Sequence, residues 1–79
     1  IVNIYPILLN MNIKAKLGIK IKSIRLEKKI SQEKLAHLSD LDRTYIHSIE
    51  KGERNISIVT IEKISKGLNI QISELLKDL

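Results

Sequence analysis

Residues 31–52, SQEKLAHLSDLDRTYIHSIEKG, decide how the rest of the chain is read. Ser31 is a natural N-cap: its hydroxyl can accept from one of the backbone N–H groups that a helix start leaves unpaired. Glu33, in the turn that follows, complements the positive end of the helix dipole. A helix running from 32 to about 39 would bury Leu35, Ala36 and Leu38. Only Asp40 and Leu41 separate it from Asp42, a second good N-cap, after which Ile46 and Ile49 mark another apolar face. Gly52 ends that segment, because a residue without Cβ takes the left-handed conformation past a helix end without steric cost. The stretch predicts two short helices joined by a tight turn.

Working outward, Ile13, Leu17, Ile21 and Ile24 recur at spacings of four, four and three with lysines between them, the stripe of an amphipathic helix. This first helix is expected to end near Lys28 or Lys29. Beyond the central pair, Ser57 caps a segment carrying Ile58, Ile61, Ile64 and Leu68 that ends at Asn69, and Ser73 can cap a short last helix with Leu75, Leu76 and Leu79. No strand-period stretch, internal repeat or low-complexity linker follows Met11. The expected fold class is all-α, with five helices and a helix-turn-helix unit at helices two and three.

The chain has 79 residues, too few to suggest a second domain. A core this small rarely supplies more than about 3–5 kcal/mol, so a partner subunit would help. There is no cysteine, hence no disulfide framework or Cys-based zinc site, and the expected compartment is cytoplasmic. His37 and His47 sit ten apart on different helices, so neither a metal pair nor any cofactor is expected. Fourteen Lys plus Arg against nine Asp plus Glu give a net charge of +5, which favours a polyanionic partner such as nucleic acid. Seven of the bases lie between Lys14 and Lys29 with only Glu27 among them, a run that also fits a solvated helix face. An enzyme is disfavoured, since no base and nucleophile pair and no Gly-rich phosphate loop is present.

Residues 1–11, IVNIYPILLNM, are apolar, uncharged and broken by Pro6. They are too few for a bilayer, which needs about 20 apolar residues, and lack the basic lead of a signal peptide. The expected organisation is a leader or arm over 1–12 and one domain over 13–79. Met11 is a candidate natural start; alternatively Val2, Ile4 and Tyr5 suit an edge strand that packs on the body or across a dimer.

Residues 31–76, SQEKLAHLSDLDRTYIHSIEKGERNISIVTIEKISKGLNIQISELL, resemble the phage repressor and Cro type of helix-turn-helix domain, with Gln32, Leu35, Ala36, Leu41, Ile46, Ile49, Glu50 and Gly52 in register. More narrowly, LDRTYIHSIEKGERNIS at 41–57 is similar to the controller proteins of restriction-modification systems. Lys29 and Asp40 depart from the pattern by standing where glycines are usual. A non-glycine residue held left-handed costs roughly 1 kcal/mol, a cost borne by stability and not by the outer face of helix three.

The resemblance implies a sequence-specific DNA-binding regulator that acts as a homodimer on operators near its own gene, activating at one site and repressing when a second fills. Helix three would enter the major groove, with Arg43, Thr44 and Ser48 reading bases; the Arg43 fork can donate twice to guanine. An arginine at a helix N-terminus could instead be a plain surface residue, but the dipole there disfavours a cation. Gln32, Tyr45, His47, Arg54 and Asn55 would meet the DNA backbone, unless Tyr45 packs its ring inside and His47 is simply exposed. Arg25 and Glu50 match positions that form a partly buried ion pair in the family. Ile72, Leu75, Leu76 and Leu79 are the expected dimer interface. Glu33 is the candidate contact for RNA polymerase, its alternative role being to complement the helix dipole. The other reading is an antitoxin-type regulator that binds both its operator and a toxin. A chain with no surplus tail is expected to stand alone, unless IVNIYPILL is a docking segment.

Overall fold

The computed structural model describes residues 11–79, which form five helices and no strand. They are α1 (Ile13–Glu27), α2 (Gln32–Ser39), α3 (Arg43–Glu50), α4 (Ile58–Gly67) and α5 (Ile72–Leu76). The expectations placed on 1–10, namely leader, edge strand or docking segment, lie outside the described residues. Asn12 already belongs to the folded unit, for its Oδ1 accepts from the Ala15 N–H at 2.9 Å and caps α1.

Ser31, Asp42 and Ser57 cap α2, α3 and α4 through side-chain oxygens that accept from Lys34, Thr44 and Thr60 backbone N–H groups. The C-termini share one geometry. Lys29, Asp40, Gly52 and Asn69 take φ of 58°, 54°, 76° and 57°, and each donates its N–H to a carbonyl three residues back. The next residue (Ile30, Leu41, Glu53 or Ile70) donates across five residues to the preceding turn, the paired bonds of a Schellman motif. In three of the four ends that next residue is apolar and packs against the core. Only the end of α3 requires glycine, because a Cβ on Gly52 would stand 2.8 Å from Ala15 Cα.

α2 packs on both α3 and α4, α1 packs on α3, and α5 closes over α1 and α4. Ile21, Leu35, Ile46, Ile64, Leu68 and Leu75 are fully buried at the centre, each such side chain stabilising the fold by about 1.5–3 kcal/mol. Gly18 lets α1 approach the end of α3, since a Cβ there would lie 2.7 Å from the Glu50 carbonyl oxygen. The Lys20 ammonium donates to the Lys77 carbonyl at 2.7 Å and ties α1 to the chain end.

Four sequence expectations change. Leu38 is exposed, not buried: Leu35 and Ser39, four apart, carry the face of α2 that meets α4, and Ser39 sits at the close crossing made by Gly67. Ile13 and Ile58 are exposed as well, lying in the first turns of α1 and α4. α5 is capped by Gln71, whose N–H donates to Glu74 Oε1 at 3.2 Å, and Ser73 lies inside the helix. Leu75 is 0% exposed within one protomer and belongs to the core, so it is unavailable to a dimer interface; Ile72, Leu76 and Leu79 remain half-buried.

Candidate nucleic-acid interface

α3 divides into two faces. Ile46, Ile49 and Glu50 point inward, while Arg43, Thr44 and His47 are exposed on the outside. The Asp42 cap, with Oδ2 2.9 Å from the Thr44 nitrogen, fixes the first turn that presents Arg43 and Thr44. Together with Gln32 from the start of α2, these three outer side chains line a concavity of about 270 Å³. Arg43 makes no hydrogen bond or ion pair among the described residues, and it stands at a helix N-terminus where the dipole disfavours a cation. An anion or a row of acceptors placed there would be favoured on both counts.

Behind this face lies a closed network. Arg25 Nε donates to Glu50 Oε2 at 2.7 Å and its second terminal nitrogen to Oε1 at 3.0 Å, with side chains only 8% and 2% exposed. The third arm of the Arg25 fork donates to the Ile30 carbonyl at 2.9 Å. The pair joins the end of α1 to the end of α3 as the family pattern implies. Gln32 Nε2 also donates to Glu50 Oε1, at 3.0 Å, so the same carboxylate sets the orientation of the amide at the concavity rim. Sequence reasoning missed this bond; residues 32 and 50 share no local spacing.

Ser48 does not share the outer face. It is 8% exposed, its hydroxyl donates to the Tyr45 carbonyl at 3.0 Å and accepts from Arg54 Nε at 3.0 Å. The expectation that it reads bases beyond Arg43 is not matched by its placement, because a hydroxyl held inside by two partners offers little to a ligand. The Arg54 guanidinium lies 5.5 Å from the centroid of the half-buried Tyr45 ring, a cation–π contact that positions an otherwise exposed side chain. This Tyr45–Ser48–Arg54 cluster was also missed, for it forms only after the chain reverses through left-handed Gly52. Asn55 and Glu33 are exposed. Among the described residues there is no group of three His, Cys, Asp or Glu able to hold a metal ion, and no helix long and apolar enough to cross a membrane.

Comparison with known proteins agrees with this geometry. A helix-turn-helix family model matches residues 21–75, the span from the middle of α1 to α5. Control protein C.MunI of Mycoplasma sp is 54% identical over 69 residues, covering 86% of this chain and 93% of that protein. Control protein C.BamHI of Bacillus amyloliquefaciens is 54% identical over 66 residues, covering 82% of each. Among solved structures, the restriction-modification controller protein C.Esp1396I, crystallised as a tetramer with its natural 35 base-pair operator, superposes with a TM-score of 0.80 at 43% identity. That match covers 86% of this chain and 90% of the other. With two control proteins and a controller structure aligned over most of their lengths, the chain belongs to the helix-turn-helix family and, within it, to the restriction-modification control proteins.

Proposed function

We propose that this chain is a sequence-specific, DNA-binding transcription regulator that controls a restriction-modification system and its own gene. The observation that carries the reading is the outer face of α3, where Arg43 and Thr44 stand unengaged at a capped helix start beside Gln32. Arg43 reads guanine through its fork, and Thr44 offers a hydroxyl and a methyl to a thymine or a phosphate. Gln32, Tyr45, His47, Arg54 and Asn55 grip the backbone and set the register without reading sequence. Ser48 serves this site from inside, by holding Arg54.

The chain works as a homodimer, because one such domain covers too few base pairs to be selective and a two-fold dimer doubles the readout. Ile72, Leu76 and Leu79, half-buried near the chain end, supply its apolar contact. Glu33, exposed in the first turn of α2, is the candidate contact for RNA polymerase. The protein carries no catalytic activity of its own and acts in the cytoplasm, where the operator lies. An antitoxin role is not favoured, since the relatives found include several control proteins and phage repressors.

Footprinting on DNA upstream of its own gene tests the proposal. Protection of two related half-sites about one helical turn, roughly 34–36 Å, apart is the expected result. Uniform protection with no preferred site would overturn it.

A further inference from the structure

The chain leaves α5 through a turn that its own bonding holds weakly. Lys77, the C-cap, is extended at ψ 134°, Asp78 is left-handed at φ 62°, and the Leu79 N–H reaches back to the Leu76 carbonyl at 3.4 Å. Left-handed backbone is disfavoured for a residue with a Cβ, and a hydrogen bond of that length is a weak one. The turn nonetheless decides what this part of the molecule presents, because it returns Leu79 to the end of α5. Leu76 and Leu79 pack against the core and stay half-exposed, and Ile72, one turn before Leu76, is half-buried too.

The remaining restraint comes from another helix. Lys20, half-buried in the middle of α1, donates from its ammonium to the Lys77 carbonyl at 2.7 Å. Carbonyls at a helix end have no partner within the helix and favour a cation. Among the described residues this is the one hydrogen bond of the ammonium, and no carboxylate pairs with it. A charge half-removed from water is thus committed to a single neutral acceptor, the one that anchors the turn.

We infer that Lys20 is a positioning residue for self-association: by holding the Lys77 carbonyl it fixes the turn that sets Leu79 against the end of α5, so that a second copy of the chain meets an apolar surface already formed. The inference rests on the homodimer reading and adds to it a polar residue outside the apolar contact. A surface ordered before the encounter loses less freedom when it is covered. In a two-fold interface the tie occurs twice, once in each protomer.

Sedimentation of the protein without DNA, over a concentration series, tests it. Lys20→Met keeps the length of the stem and removes the donor, and should raise the dimer dissociation constant by about tenfold or more. Lys22→Met takes the same charge from an exposed position of the same helix and should leave that constant nearly unchanged. Lys20→Arg, which can still donate, should restore most of the association. Since Lys20 acts through Leu79, Leu79→Ala should weaken the dimer far less in the Lys20→Met background than alone. In dilute Lys20→Met the Leu79 amide should exchange with solvent faster, while that of the fully buried Ile46 does not. Equal weakening by Lys20→Met and Lys22→Met, additive losses at 20 and 79, or faster exchange at both amides would overturn the positioning role and leave the dimer standing. Unaltered protein that stays monomeric throughout the series would overturn both.

Discussion

Two arginines of this small protein, Arg25 and Arg43, meet opposite fates. Every arm of the Arg25 fork is occupied, by the Glu50 carboxylate and the Ile30 carbonyl, in a setting almost closed to water. Arg43 is exposed at the head of α3, without a partner among the described residues and opposed by the helix dipole. The inner face spends its charge on joining α1 to α3. On the proposed reading, the outer face keeps its charge for DNA: Arg25 is scaffold and Arg43 is the site.

The inner face is where the largest effect is expected. Glu50→Gln leaves Arg25 charged and unpaired in a buried setting and also loosens Gln32, so unfolding stability should drop by about 3–5 kcal/mol. Chemical denaturation would show it as a lower midpoint at unchanged slope. A midpoint that does not move would erase the distinction between the two arginines. Gly52→Ala comes next. It forces a side chain into positive φ and against Ala15, and should cost at least about 1–2 kcal/mol and disturb the turn that brings Arg54 back over Tyr45. Thermal melting together with the nitrogen chemical shift of Arg54 Nε would report both. The smallest change runs the other way. Lys29→Gly relieves a non-glycine residue at φ 58°, and should raise stability by about 1 kcal/mol without altering DNA affinity beyond the loss of one positive charge.

Much of this division was legible in the sequence, and the parts that were not have definite causes. The caps at Ser31, Asp42 and Ser57 depend on local chemistry, which residue type and spacing disclose directly, while the left-handed ends at Lys29 and Asp40 were implied by the resemblance, which puts glycines there. Register with the family placed the Arg25–Glu50 pair. Leu38 was misplaced, because helical periodicity alone does not say which side of α2 meets α4; the close crossing at Gly67 decides it, and it puts Ser39 inside and Leu38 outside. Leu75 looked like surplus apolar surface until α5 folded over α1 and α4. The start of α5 did have a signal, since Gln71 and Glu74 stand at capping-box spacing, and Ser73 drew attention away from it. Ser48 was assigned to the outer face by the family resemblance, as the residue one turn beyond Thr44. Its hydroxyl turns inward because Arg54, returning through Gly52, supplies a donor that no local spacing predicts.

The central claim is that the unanswered arginine reads sequence, and one substitution tests it most directly. Arg43→Ala removes no contact made within the described residues, so the protein should fold with unchanged stability. In competition binding at one fixed salt concentration, it should lose about 1–3 kcal/mol per half-site on the operator and far less on a scrambled duplex. A bidentate guanine contact exists only where guanine stands, whereas a phosphate contact is the same on every sequence. Equal losses on the two duplexes would contradict the account: Arg43 would then grip the backbone only, and sequence reading would pass to Thr44 or to the shape of the DNA.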